Sequence, residues 1–257
     1  MSARPSSTPH PARHPARHPA RVAPARLQLA ELGPLEQLRA GHLPRRLGQL
    51  AVGLWLYGVS LALMVRGDVG LAPWDVLHSG LIRHVPLTLG QAVVVMSFVV
   101  LVLWIPLRER PGLATVANAL VVGTAADVTL AMLGADAGSV GGSELPLAAR
   151  VALMLAGVVL CAFATALYIG AQLGRGPRDG LMTGLHRRTG LSLRVVRTAL
   201  EVGVVLVGLV LGGAVGLGTV VYALAIGPLA QAMMPRFLAP LAARPGATVA
   251  PRATRGG

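Results

Sequence analysis

Asp75, Ser79 and Arg83 follow one another at four-residue intervals, and Asp179, Thr183 and Arg187 repeat that order of carboxylate, hydroxyl and guanidinium 104 residues later. At i, i+4 and i+8 the three groups share one face of a helix. Such a polar stripe can line a path for a small solute or an ion. Asp127 is a third candidate, because it lies inside an apolar run with Asn118 more than two turns before it. A carboxylate in hydrocarbon is costly unless it has a partner. Two readings of Asp127 stand side by side: a proton or cation site, and a residue near the outer end of a span reaching the head groups. Glu201 follows Arg197 by four residues, and an i, i+4 ion pair accounts for it without a function.

The stripes belong to one stretch that occurs twice, GLAPWDVLHSGLIRHVPLTL at 70–89 and GRGPRDGLMTGLHRRTGLSL at 174–193, with 9 of 20 positions identical. The matches include Gly70/Gly174, Pro73/Pro177, Asp75/Asp179, Gly80/Gly184 and Arg83/Arg187. Extended outwards, residues 47–130 match 151–234 at 23 of 84 positions. Two halves share one plan. Proline suits the first turn of a helix, where its missing N–H is not needed, so short helices are predicted over 73–84 and 177–188. The aspartates then fall in the first turn, where the helix dipole favours a negative charge. Thr88 and Ser192 stand at N-cap positions of the next segment, Thr88 with Gln91 forming a capping box.

Composition says where these helices sit. Hydrophobic residues make up 54% of the 257 and charged residues 13%, with mean hydropathy +0.65, which marks a membrane protein. All 23 basic residues are arginine and the net charge is +13. The arginines lie between apolar segments and aromatic residues are 4% of the chain, so nucleic-acid binding is excluded. Cys161, alone in an apolar run, offers neither a disulfide nor a thiolate metal site.

Spans are predicted at 47–65, 89–107, 113–133, 151–173, 195–211 and 217–234. The last two come from one uncharged run of 34 residues, Val202 to Pro235, which is about 50 Å as a single helix and must turn at the Gly212, Gly213, Gly216, Gly218 cluster. The domains are therefore a membrane repeat at 47–133, an external loop at 134–149, a second repeat at 150–234 and a cytoplasmic tail at 235–257. Residues 1–46, with HPAR three times, read as a disordered basic tail, and Arg45-Arg46 as a cytoplasmic anchor. Three spans per half force the second copy to insert upside down. With the amino terminus inside, 20 of the 23 arginines fall on the cytoplasmic side, in keeping with the positive-inside rule.

The fold class expected is an all-α membrane protein of about six transmembrane helices, arranged as two inverted three-helix repeats with a short helix after the first span of each. Each short helix is either interfacial, lying on the membrane, or re-entrant, lining a cavity between the halves. Zinc-ligand pairs, nucleophile motifs and phosphate loops are missing, and His78, His84 and His186 are isolated. No enzyme, metal or cofactor is expected.

The segments LYGVSLALMVRGDVGLAPWDVLHSGL, RPGLATVAN, GRGPRDGLMTGL, RVVRTALEV and GGAVGLGTVVYALAIGPL resemble the YczE/YitT-type integral membrane proteins of bacteria over about residues 47–234. The resemblance implies a multi-pass plasma-membrane protein of five or six helices and no particular activity. Two functions follow as expectations: a permease for a small solute or ion with its path between the repeats, and a non-transporting accessory protein that supports another membrane or biosynthetic complex. The partners this admits are the lipid bilayer, a small solute or ion, and a second copy of the chain or a membrane partner.

Overall fold

Each helix begins or ends where the backbone has a reason to change course. The computed structural model describes residues 33–239 apart from 139 and, among them, nine helices and no strand. The HPAR repeats and the end of the carboxy-terminal tail lie outside the described residues. In the first half are α1 (Pro34–Arg39), α2 (Leu43–Gly67), α3 (Pro73–Leu81), α4 (Leu89–Leu107) and α5 (Leu113–Met132). In the second are α6 (Leu147–Gly170), α7 (Pro177–Thr189), α8 (Leu193–Val210) and α9 (Leu217–Phe237). Pro73 and Pro177 occupy the first turns of α3 and α7, and the Thr88–Gln91 capping box starts α4.

The boundaries depart from expectation at several ends; α6, for one, spans Leu147–Gly170 rather than 151–173. Helix structure starts within the segment read as a disordered tail, since α1 and the first turn of α2 precede residue 47. Helix α3 ends at Leu81 rather than 84, because Pro86 disfavours helical backbone just before it. Helix α9 runs on to Phe237 through Pro228 and Pro235.

Five described helices, α2, α4, α5, α6 and α9, are long and apolar enough to cross a membrane. Helix α8 has 18 residues but carries Arg194, Arg197 and Glu201. Helices α2 and α6 form the centre, α5 packs on α2, and α9 packs on α6. The short helices cross over, α3 lying against α8 and α7 against α4.

Helices α2 and α6 run antiparallel, and arginines tie both ends. Arg46 Nε donates to Ala171 O at 2.8 Å and Nη2 to Gln172 O at 2.7 Å. At the other end Arg150 Nε donates to Gly67 O at 3.0 Å and Nη2 to Asp68 O. Partners 67 and 68 are 104 residues below 171 and 172, just as donor 46 is 104 below donor 150. The same exchange relates Ala114 N→Leu173 O to Gly218 N→Val69 O, both 2.9 Å. Gly70 and Gly174 share a φ of +123°, and a Cβ would meet Gly216 at 2.8 Å or Gly112 at 3.2 Å. Only glycine suits both that backbone and that approach.

Candidate functional site

The crossing of the short helices leaves a cavity of about 260 Å³. Its wall draws on both halves: Tyr57 of α2, Trp74 of α3, Ser97 of α4 and Asn118 of α5 from the first; Tyr168 of α6, Arg178 and Asp179 of α7, Arg197 and Glu201 of α8, and Tyr222 and Gln231 of α9 from the second. Val93, Val122, Ile169, Ile226 and Met234 supply apolar patches between them.

Arg178 links the halves electrostatically. Its Nη2 lies 3.6 Å from Asp75 Oδ1, and its guanidinium carbon stands 5.1 Å from the centroid of the Trp74 ring, within cation–π range. Asp75, whose side chain is 6% exposed, also faces His78 Nδ1 at 3.0 Å. Asp179 Oδ2 accepts from the Tyr168 hydroxyl at 2.6 Å. Arg197 Nε donates to Glu201 Oε1 at 2.8 Å, the ion pair expected from their spacing. The Trp74 Nε1 and His78 Nε2 atoms are buried without a hydrogen-bond partner.

Of the stripe residues, Asp179 lines the cavity and Asp75 sits behind Arg178. Ser79 Oγ donates to Val76 O and accepts from Ala214 N at 3.0 Å, holding the α8–α9 turn against α3. Thr183 Oγ1 donates to Asp179 O within its own helix. Arg83 lies past the end of α3 beside Gly212, and Arg187 pairs with Glu109 at the surface. Of the motif residues, Pro73 lines the cavity. Gly80 packs on the Gly208 carbonyl, and Gly184 on Leu107 and Glu109.

Asp127 does something else again. Its Oδ1 accepts from Gly90 N at 2.7 Å and its Oδ2 from Thr88 Oγ1 at 2.5 Å, so the carboxylate caps the start of α4 from α5. Beside it the backbones of Gly90 and Gly123 meet directly, closing α4 onto α5. The equivalent positions in the second half are Arg194, Gly227 and Gln231. There the nearest neighbour of a Cβ on Gly227 is Arg197 Nη1 at 4.0 Å, and Arg197, Glu201, Gly227 and Gln231 line the cavity. The α4–α5 contact is shut and the α8–α9 contact is not.

The residues that sequence reasoning passed over are Arg178, Trp74 and the three tyrosines. One signal pointed at the first two: in an alignment of the halves Trp74 falls opposite Arg178, an unlike pair between the matching Pro and Asp of the Gly-x-x-Pro-x-Asp pattern.

Comparison with known proteins adds the family. A family model described as a family of unknown function, DUF6198, matches residues 44–235. An "Uncharacterized protein" of Haemophilus influenzae is 38% identical over 182 residues, which is 71% of this chain and 80% of that one. The "Uncharacterized membrane protein YczE" of Bacillus subtilis is 28% identical over 188 residues, 72% of this chain and 84% of its own. No solved structure matches.

Proposed function

The chain belongs to the DUF6198 family, with the membrane protein YczE among its relatives, and we propose that it is a small permease whose solute site is the cavity between two inverted three-span repeats. The observation that carries this reading is the unlike state of two equivalent contacts around one cavity: α4 and α5 are closed by Gly90, Gly123 and Asp127, whereas α8 and α9 stand apart. Halves of one plan held in different conformations around a shared site are what alternating access requires. The antiparallel, reciprocal bonds of Arg46 and Arg150 support the inversion.

On this reading α8 is the sixth span. Its Arg197–Glu201 pair neutralises the charge nearest the middle, and Arg194 stays near the surface. The arginine distribution supports a bacterial plasma-membrane protein with both termini in the cytoplasm and the open α8–α9 side facing inward. The accessory-protein reading draws less support, because Arg178, Arg187, Arg188 and Arg197 of the basic α7–α8 segment already have partners within the chain.

Asn118→Cys in a Cys161→Ser background tests the proposal. Asn118 is half-buried on the cavity wall, and a membrane-impermeant maleimide added inside should label it readily. During turnover the same cysteine should also react from outside. Labelling from one side only, under every gradient and solute that supports uptake, would refute a path between the halves.

A further inference from the structure

The chain has only three tyrosines, Tyr57, Tyr168 and Tyr222, and all three line the cavity together with Trp74. In a chain whose aromatic content is 4%, that concentration needs a reason. Aromatic faces carry negative quadrupole charge and attract cations. The charges nearby agree: Arg178 faces Asp75, Asp179 accepts from Tyr168 on the cavity wall, and Arg197 and Glu201 neutralise each other, which leaves one net negative charge among the five.

A cation already occupies the aromatic wall. The Arg178 guanidinium lies over the Trp74 ring at 5.1 Å and faces Asp75 at a loose 3.6 Å. We propose that the cavity binds a small organic cation, an alkylammonium or quaternary ammonium, on the Trp74 face beside Asp75 and Asp179, and that Arg178 is a tethered cation filling this seat when solute is absent. An anion at Arg178 would meet a guanidinium that Asp75 already faces from behind, with the Asp179 carboxylate beside it on the cavity wall. The assignment rests on reading the cavity as a permease's solute site. It adds a mechanism: the solute displaces Arg178, and Arg178 returns to screen Asp75 when the solute leaves, so that the empty site is never a bare buried carboxylate.

The opposite sign expected for two substitutions makes this testable. Choline and tetramethylammonium chloride, with sodium acetate as the anionic probe, are titrated into the full-length protein in nanodiscs, with tryptophan fluorescence and thermal shift as readouts. Both cations should bind and raise the melting temperature. Trp74→Leu, which keeps the bulk and loses the π face, should weaken choline binding by about tenfold. Arg178→Gln removes the competitor and should tighten choline binding by about tenfold, with a lower melting temperature that choline restores. Loss of cation binding in a monodisperse Arg178→Gln protein would overturn the proposal, as would acetate binding that this substitution abolishes. Failure of either cation to bind the wild-type and Arg178→Gln proteins would overturn it too. Cation binding without uptake into proteoliposomes would instead overturn the permease reading and leave the site standing, whereas uptake of an anion alone would do the reverse.

Discussion

Arg46 and Arg150 make equivalent hydrogen bonds at opposite ends of the α2–α6 pair, yet their removal should have very different costs. Arg46 is fully buried and its guanidinium donates to four carbonyls, Gln37 O at 2.6 Å, Ala171 O at 2.8 Å, Gln172 O at 2.7 Å and Gly41 O at 3.4 Å. Arg46→Met removes the charge without emptying the space and leaves those oxygens without a donor. At about 1–3 kcal/mol for each unsatisfied group, with some relaxation, the loss is about 3–5 kcal/mol. The Arg150 side chain is 27% exposed, so water can replace its bonds to Gly67 O and Asp68, and Arg150→Met should cost about 1 kcal/mol. The two sites stand at opposite ends of the 25-residue helix α2, about 35 Å apart at 1.5 Å per residue, and the double variant should be additive within about 0.5 kcal/mol. Unfolding in mixed micelles of increasing SDS fraction measures all three. Equal costs for the two single variants would refute the reasoning, because Arg46 is buried and satisfies carbonyls that nothing else reaches in its absence, whereas water reaches Arg150 and its partners.

Other substitutions probe the frame and the closed α4–α5 contact. Gly174→Ala should destabilise by about 1–2 kcal/mol, since φ is +123° there and a Cβ meets Gly112 at 3.2 Å, and the same unfolding assay reads it. Arg187→Ala should change stability by no more than about 1 kcal/mol in that assay despite its ion pair with Glu109, because the side chain is 53% exposed. Asp127→Ala strips the cap from Gly90 N and Thr88 and should loosen α4 from α5. On the permease reading, maleimide labelling of Asn118→Cys from the outer side of proteoliposomes should then rise without any solute, and an unchanged rate would show that Asp127 does not hold that contact shut.

What could be read from the chain and what could not divide along a physical line. Pro73 and Pro177, each with an aspartate two residues on, state their local structure outright, because proline has few places to go and a first-turn carboxylate has a dipole to meet. The Arg197–Glu201 pair and the Thr88 cap are also local and were legible. Asp127 was not, since the groups that use it, Thr88 and Gly90, lie 39 and 37 residues away. Arg46 read as a surface anchor because nothing in its neighbourhood announces the carbonyls of Ala171 and Gln172 that bury it. The stripe idea weighted Ser79 and Thr183 for being alike in both halves, and both bond backbone instead.

That last contrast has a consequence for how a duplicated protein makes one site. Positions kept identical between the halves, Arg46/Arg150, Gly70/Gly174, Gly112/Gly216 and Thr115/Thr219, hold the frame, where both copies meet the same geometric demand. The cavity is built mostly from positions that differ: Trp74 against Arg178, Tyr57 against Cys161, Asn118 against Tyr222, and Ser97 against Glu201. A cavity built from matching positions of the two halves would carry paired, identical groups. This one presents the aromatic face of Trp74 from the first half, and a guanidinium and a carboxylate, Arg178 and Asp179, from the second, with Asp75 behind the guanidinium. The same divergence reaches the α4–α5 and α8–α9 contacts, where Asp127 caps α4 and its equivalent Gln231 lines the cavity. A neutral side chain at 231 lacks the charge-assisted cap that Asp127 makes, so the α8–α9 contact has less to hold it shut. On the permease reading, the two conformations therefore differ in free energy even without solute, and the state with α4–α5 closed is the one this chain rests in.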